Sequence, residues 1–116
     1  KSFPFYLTGY NPSLISQLNQ YIASDYYVVT LISASLLSSG ASSGTQSFPD
    51  HWIVWTDQLR DIKGQAVTTA TDLYTTEVRL QLFTWGENGQ KLRSKISLYN
   101  FEKKVFFALV VKKEAF

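Results

Sequence analysis

Four runs of β-branched and aromatic residues constrain the fold of this chain more than any other feature of its sequence. They span residues 26–37, 51–56, 77–85 and 105–113. Branched and aromatic side chains fit the pleated surface of a sheet, so each run predicts a strand. Asn88-Gly89 follows the third run and favours the positive φ angles of a tight hairpin turn, after which residues 91–96 are expected to return as a further strand. Strands joined in this way indicate an antiparallel α+β domain.

A strong helix signal precedes these runs. Pro12 fits the first position of a helix because its missing N–H would have no partner there, and Asn11 can cap the exposed amides. Apolar residues then recur at helical spacing, which predicts an amphipathic helix over residues 12–23. Ser97 predicts the cap of a second, short helix before the last strand.

The length and charge of the chain exclude several classes of partner. With 116 residues, 45% of them hydrophobic, the chain suits one domain with one core. Its net charge of +2 is too small for the clustered basic surface that nucleic-acid binding requires. Its longest apolar stretch, residues 105–111, is far shorter than the roughly 18–20 residues of a membrane-spanning helix. We therefore predict neither a nucleic-acid partner nor a membrane span.

The chain contains no cysteine, which excludes a disulfide, a thiolate metal site and a thiol nucleophile within it. It has a single histidine, so a dedicated transition-metal site is not expected, and no cofactor is predicted. Methionine is also absent, although a translated chain begins with one. We therefore expect residues 1–116 to be a processed, trimmed or split polypeptide. They form either a single domain or the C-terminal part of a domain whose upstream segment is missing.

The order of these elements resembles papain-like cysteine peptidases of the bacteriocin-processing and related bacterial type. The shared pattern is a helix, a strand of the type VVTLIS, a loop, and a histidine that opens a strand of the type HWIVWT. The resemblance extends over residues 12–112. It implies a papain-like α+β fold with an antiparallel sheet of about four to five strands, an N-terminal helix and a short helix before the last strand. It also implies a secreted bacterial toxin or effector, delivered into a target cell.

The resemblance assigns His51 as the general base of the catalytic cysteine. A residue in the next strand would orient the imidazole, and Thr84, Trp85 and Glu87 lie where that residue would fall. The nucleophile is then expected on an upstream segment or a second chain, with a protein or peptide as substrate, so this chain would not be active alone. Three further carboxylates could orient the imidazole by their position in the chain alone, but each is more simply explained as a solvated turn residue. They are Asp50, Asp57 and Asp72.

Each remaining motif has a plainer structural interpretation. His51 also fits a half-exposed histidine at the end of a strand, and Ser13 fits a serine beside a helix cap better than a replaced nucleophile. Residues 40–44 match the G-x-S-x-G string of serine hydrolases, but no helix follows them, so we interpret them as a flexible loop. Charged residues flank the last apolar run as solvated gatekeepers, which means that their charges oppose aggregation of the apolar strand. They are Lys103, Lys104, Lys112 and Lys113.

The alternative function is a non-catalytic protein-binding module with a degenerate papain-like fold. The missing cysteine and the 16% aromatic content both fit this alternative. Trp52 and Trp55 must face opposite sides of their strand, so at least one is expected in the core. If an upstream helix of the domain is missing, one face of the sheet should be uncovered, and the isolated chain should be sticky.

Overall fold

The computed structural model describes residues 2–6, 12–37, 51–84, 87–92 and 96–113. Within these ranges the chain has an α+β fold, with a 3₁₀ turn at Ala34–Leu36. The helices and strands are β1 (Ser2–Tyr6), α1 (Pro12–Ala23), β2 (Tyr26–Ile32), β3 (His51–Trp55), β4 (Arg60–Asp61), β5 (Val78–Arg79), β6 (Gln81–Thr84), β7 (Glu87–Lys91), α2 (Leu98–Lys103) and β8 (Val105–Lys112).

Six of the strands form one antiparallel sheet in the order β1-β8-β2-β3-β6-β7. The last strand, β8, lies between β1 and β2, so the sheet joins distant parts of the chain. Strands β4 and β5 pair separately as a small ladder. The predicted α+β class, with an antiparallel sheet and a helix on the N-terminal side, is confirmed.

The two helices cover one face of the large sheet, which we call the covered face. Alternation along β2 directs Val28, Thr30 and Ile32 to this face, where all three are buried. Helix α1 contributes Ile15 and Leu18 to the same core, because its apolar residues recur at helical spacing. From α2, the ring of Phe101 lies 6.2 Å from the ring of Trp55 on β3. The residues between the buried ones face the other side, the open face.

Local signals predicted several boundaries correctly. The helix expected over residues 12–23 has those bounds, and His51 opens β3. The Ser97 hydroxyl caps α2 by accepting from the Asn100 N–H at 3.2 Å. The loop signals at residues 38–47 and the cap at Asn11 lie outside the described residues.

Two boundary predictions are wrong. Asn88 and Gly89 lie within β7, which begins at Glu87, so the Asn-Gly signal does not mark a turn and the strand expected over residues 91–96 begins too late. The strand predicted over residues 26–37 ends at Ile32, where the chain enters a 3₁₀ turn. In both places cross-strand pairing, rather than the local sequence, sets the boundary.

Asn19 ties α1 to the segment that follows β3. Its side-chain amide donates to the carbonyls of Leu59 at 2.9 Å and Val67 at 3.0 Å, and its Oδ1 accepts from the Leu59 N–H at 2.7 Å. The backbone carbonyl of Asn19 also accepts from the Gln58 side chain at 3.0 Å. Asn19 is buried, so these partners replace the water that its amide loses on folding. The residue therefore anchors the 57–67 loop to the helix.

Replacing Asn19 by leucine should lower the free energy of unfolding by about 2–4 kcal/mol, because the Leu59 N–H and the Val67 carbonyl lose a buried partner. Urea unfolding followed by circular dichroism measures this change. The matched control is Gln20→Ala on the exposed side of the same helix, which should change the free energy by less than about 0.5 kcal/mol. A loss for Asn19→Leu as small as that of the control would show that other contacts hold the loop.

Candidate functional site

His51 lies at the first position of β3 with its side chain on the covered face. It shares this face with Ile53 and Trp55, as the two-residue period of the strand requires, and its ring is half-buried. The antiparallel pairing of β3 with β6 brings Thr84 to the same end of the sheet, where Thr84 is buried. Nε2 of His51 and Oγ1 of Thr84 form a short hydrogen bond. Of the three residues expected where the orienting residue would fall, the structure thus brings Thr84 to the histidine.

The bond to Thr84 engages one nitrogen of the imidazole, Nε2. A threonine hydroxyl can donate or accept, so it orients the ring in either tautomer. The pair therefore positions His51 at this end of the sheet.

The end of the sheet that holds His51 also collects parts of both helices. Ile32 lies opposite His51 in β3 and opposite Val105 in β8. The next residue, Ser33, donates its N–H to the carbonyl of Lys104 at 3.1 Å, which places the C-terminal end of α2 there. Helix α1 packs on β2 after a turn of two residues, so its first turn is directed back toward the same end. Ser13 belongs to that first turn.

Glu102 on α2 is a buried carboxyl that the sequence analysis missed. It is 2% exposed, and neither of its oxygens has a hydrogen-bond partner within the described residues. Burial without a partner disfavours the charged form and raises the pKa of Glu102 to about 7. The signal for it was present, because Leu98, Phe101 and Glu102 share the spacing of one helix face, and all three are buried.

The other carboxylates proposed to orient His51 have different roles. Asp57 forms a salt bridge with Arg60 at 3.0 Å, and this hydrogen bond lowers the pKa of Asp57. Asp57 follows the end of β3 that is opposite to His51. The two residues are six positions apart, which corresponds to roughly 20 Å along an extended chain. The carboxylate of Asp72 accepts from Thr75 and from the Tyr74 N–H within its own turn, and these bonds lower the pKa of Asp72.

The remaining candidates lie partly outside the described residues. Glu87 pairs with Thr84 through the backbone of β7, and nothing is described of its side chain. Asp50 and Trp85 fall outside the described ranges, as do residues 40–44. Asp57 precedes the short strand β4 and Asp61 lies within it, so these two carboxylates are not on a helix. No cluster of three or more metal-binding side chains occurs in the part of the chain that the structure describes.

The tryptophans and lysines singled out in the sequence differ in their exposure and in the face of the sheet on which they lie. Trp55 is buried in the core, whereas Trp52 is 48% exposed on the open face, so only Trp55 shares a face with His51. The expectation that these two residues face opposite sides is confirmed. Lys103 lies over the Tyr99 ring at 4.9 Å. Lys104 is buried, which corrects the prediction that it is a solvated gatekeeper.

Comparison with known proteins identified no relative of this chain. No family model matches the chain, and neither a curated protein nor a solved structure matches it. In the described ranges no helix is long and apolar enough to cross a membrane.

The role of Thr84 in holding the imidazole can be tested without any substrate. Thr84→Val keeps the shape of the side chain and removes the hydroxyl. We expect the ¹⁵N shifts of the His51 ring, measured by long-range ¹⁵N–¹H NMR, to move toward the tautomer mixture of a free histidine. The free energy of unfolding should fall by about 1 kcal/mol. Thr56→Val, at an exposed threonine just beyond β3, is the control. Unchanged ring shifts in Thr84→Val would contradict an orienting role.

Glu102 should make the fold less stable as the pH rises. Its pKa is about 7 in the folded chain and 4.5 ordinarily, so between these values the folded state retains a proton that the unfolded state releases. Below pH 4.5 both states hold the proton and there is no penalty; above pH 7 the penalty is complete and amounts to at most about 3 kcal/mol.

Glu102→Gln removes this titration. Between about pH 4 and pH 8 its free energy of unfolding, relative to the unsubstituted chain, should rise by up to about 3 kcal/mol in urea titrations. Glu77→Gln is the control, since the Glu77 side chain is 40% exposed beside Arg79. If the difference between Glu102→Gln and the unsubstituted chain did not vary with pH, Glu102 would not be the titrating group.

Proposed function

We propose that this chain is the histidine-bearing part of a papain-like cysteine hydrolase, a protease or amidase, whose nucleophilic cysteine lies outside its 116 residues. The observation that carries the proposal is the His51–Thr84 pair at the end of the sheet. A base that is oriented by a second residue, at a rim where another element can approach, is the arrangement that nucleophilic catalysis needs. The absence of cysteine requires that the thiol come from another segment or chain.

In this proposal His51 transfers protons and Thr84 positions it. The imidazole of His51 takes the proton of the thiol, and the thiolate attacks the carbonyl carbon of a protein or peptide amide. The imidazolium then protonates the departing amine as the C–N bond breaks, which leaves a thioester. Water, deprotonated by the same imidazole, cleaves the thioester and restores the thiol. Thr84 holds the orientation of the ring through the cycle.

The direction of α1 supports the same end of the sheet as the place of reaction. Its first turn is directed toward the end that holds His51, and the amides of a helix N-terminus stabilise an adjacent thiolate or oxyanion. A cysteine supplied from outside the chain would meet both the imidazole and this helix end. A secreted bacterial toxin or effector is the setting that the sequence resemblance suggests for such an enzyme.

A protein-binding module is the second candidate function, and the open face of the sheet favours it. Trp52, Tyr27 and Phe83 are each at least 40% exposed there, whereas Trp55 and its neighbours on the covered face are buried. Exposed rings on one face of a sheet are a common basis of protein recognition. The two functions use opposite faces of β3, so one variant can test each of them.

The complete protein, with its cysteine-bearing polypeptide, provides the test of the hydrolase. His51→Ala should lower cleavage of a mixed peptide library, followed by mass spectrometry, by at least about 100-fold, because proton transfer by a positioned histidine contributes about 10²–10⁴-fold. The melting temperature should stay within a few degrees. Asp72→Asn, in an exposed turn, is the control and should leave cleavage unchanged.

The outcomes separate the two candidates. Unchanged cleavage by His51→Ala would rule out His51 as the base. Two results together would establish the binding module instead. The complete protein would contain no cysteine and cleave no peptide, and a substitution of Trp52 would abolish capture of a protein ligand.

A further inference from the structure

The open face of the sheet is lined by apolar side chains across its four inner strands. Leu31 of β2 lies directly opposite Trp52 of β3 and Phe107 of β8, and the rows on either side continue in the same register. Charged residues lie at the margins of these rows, where Lys91 of β7 pairs with Gln81 of β6 and Lys113 lies over the Tyr27 ring at 5.2 Å. Alternation along the inner strands places Gln81 and nine apolar residues on this face; the apolar residues are Tyr27, Val29, Leu31, Trp52, Val54, Phe83, Phe107, Leu109 and Val111.

The arrangement of large and small side chains on this face would allow it to pack against a second copy of itself. In β2 and β3 a middle row of short branched side chains, with Val29 opposite Val54, runs between one row that carries Trp52 and another that carries Tyr27. In β6 the same row continues with Phe83, which lies opposite Val54. Trp52 is held edge-on against Phe107, with 5.9 Å between the ring centroids. Large side chains on both sides of a row of short ones allow two such faces to interdigitate, as the inner faces of packed sheets do.

The exposed area approaches what a weak dimer needs. Tyr27, Trp52 and Phe83 are 41%, 48% and 40% exposed, and with about 150–250 Å² for each aromatic side chain they expose roughly 250 Å². The six partly buried residues of the face add an area of the same order, about 200 Å². Two copies would therefore bury roughly 900 Å² of apolar side chain, and the polar rim would bring the total to the lower limit of about 1,000–1,200 Å² for specific interfaces.

We propose that this open face is the contact between two copies of the chain, packed sheet against sheet. Two identical surfaces associate without repulsion where they are uncharged, and the nine apolar positions carry no charge; Lys113, whose ammonium lies 5.2 Å from the centroid of the Tyr27 ring, is at the margin of the face. The two sheets would lie about 10 Å apart. The inference does not rest on the proposed hydrolase, because His51 faces the other side of β3 and stays outside the contact.

Sedimentation velocity of the 116-residue chain from about 1 to about 200 µM tests the proposal in the concentration range where small interfaces associate. We expect a reversible monomer–dimer equilibrium. Trp52→Glu would place an unpaired charge at the centre of the contact and should weaken the dimer at least about 100-fold, with the melting temperature nearly unchanged. Tyr74→Glu is the matched control, because Tyr74 is 69% exposed and lies against Tyr99 of α2, away from the open face.

A second measurement keeps the proposal testable if Trp52→Glu fails to fold. Since the chain has no cysteine, a single introduced cysteine can carry a spin label. Gln81→Cys places the label on the open face of β6, and Gln20→Cys places it on the exposed side of α1. Pulsed electron paramagnetic resonance should give a shorter distance between copies for position 81 than for position 20.

Three results would overturn the proposal. The first is a chain that stays monomeric over the whole concentration range, as it would if the open face binds another segment or a different protein. The second is open-ended association that does not stop at the dimer. The third is a label distance that is shorter at position 20 than at position 81, which would place the contact on the helices.

Discussion

The two-residue period of the inner strands is the constraint on which the rest of the structure depends. In β3 it directs His51 and Trp55 toward the helices and Trp52 away from them. Both faces of the inner strands are apolar, so the pattern of the sequence alone does not say which face becomes the core. The decision is made by α1 and α2, which pack on the same side, and no described helix covers the other side.

Polar groups on the covered face are held by specific partners, with one exception. Thr30 accepts from the indole N–H of Trp55 at 3.0 Å, Asn19 satisfies a loop backbone, and Thr84 binds His51. Glu102 has no such partner among the described residues. A buried carboxyl of this kind lowers stability at neutral pH, and it lies in α2, whose C-terminal end meets β2 near the candidate site. That end of the sheet is therefore chemically different from the apolar remainder of the core.

The sequence predicts those features that short-range rules determine. The bounds of α1, the Ser97 cap and the face that His51 shares with Trp55 follow from capping preferences and periodicity. The start of β7 does not, because Thr84 pairs with Glu87 and Phe83 with Asn88, and this pairing places Asn88 within the strand. For the site, the histidine stands out because the sequence contains no other. The contact between Thr84 and His51 depends on the register of β3 against β6, which the sequence does not contain.

The adjacency of His51 and Trp52 in one strand has a consequence for how this chain can vary. A single inserted or deleted residue inside β3 would exchange the two faces, bringing an indole into the core and turning the imidazole away from Thr84. Substitutions at these positions change one face at a time, whereas a change in strand length alters both at once. The length of β3 should therefore tolerate less variation among related chains than the identity of its exposed residues.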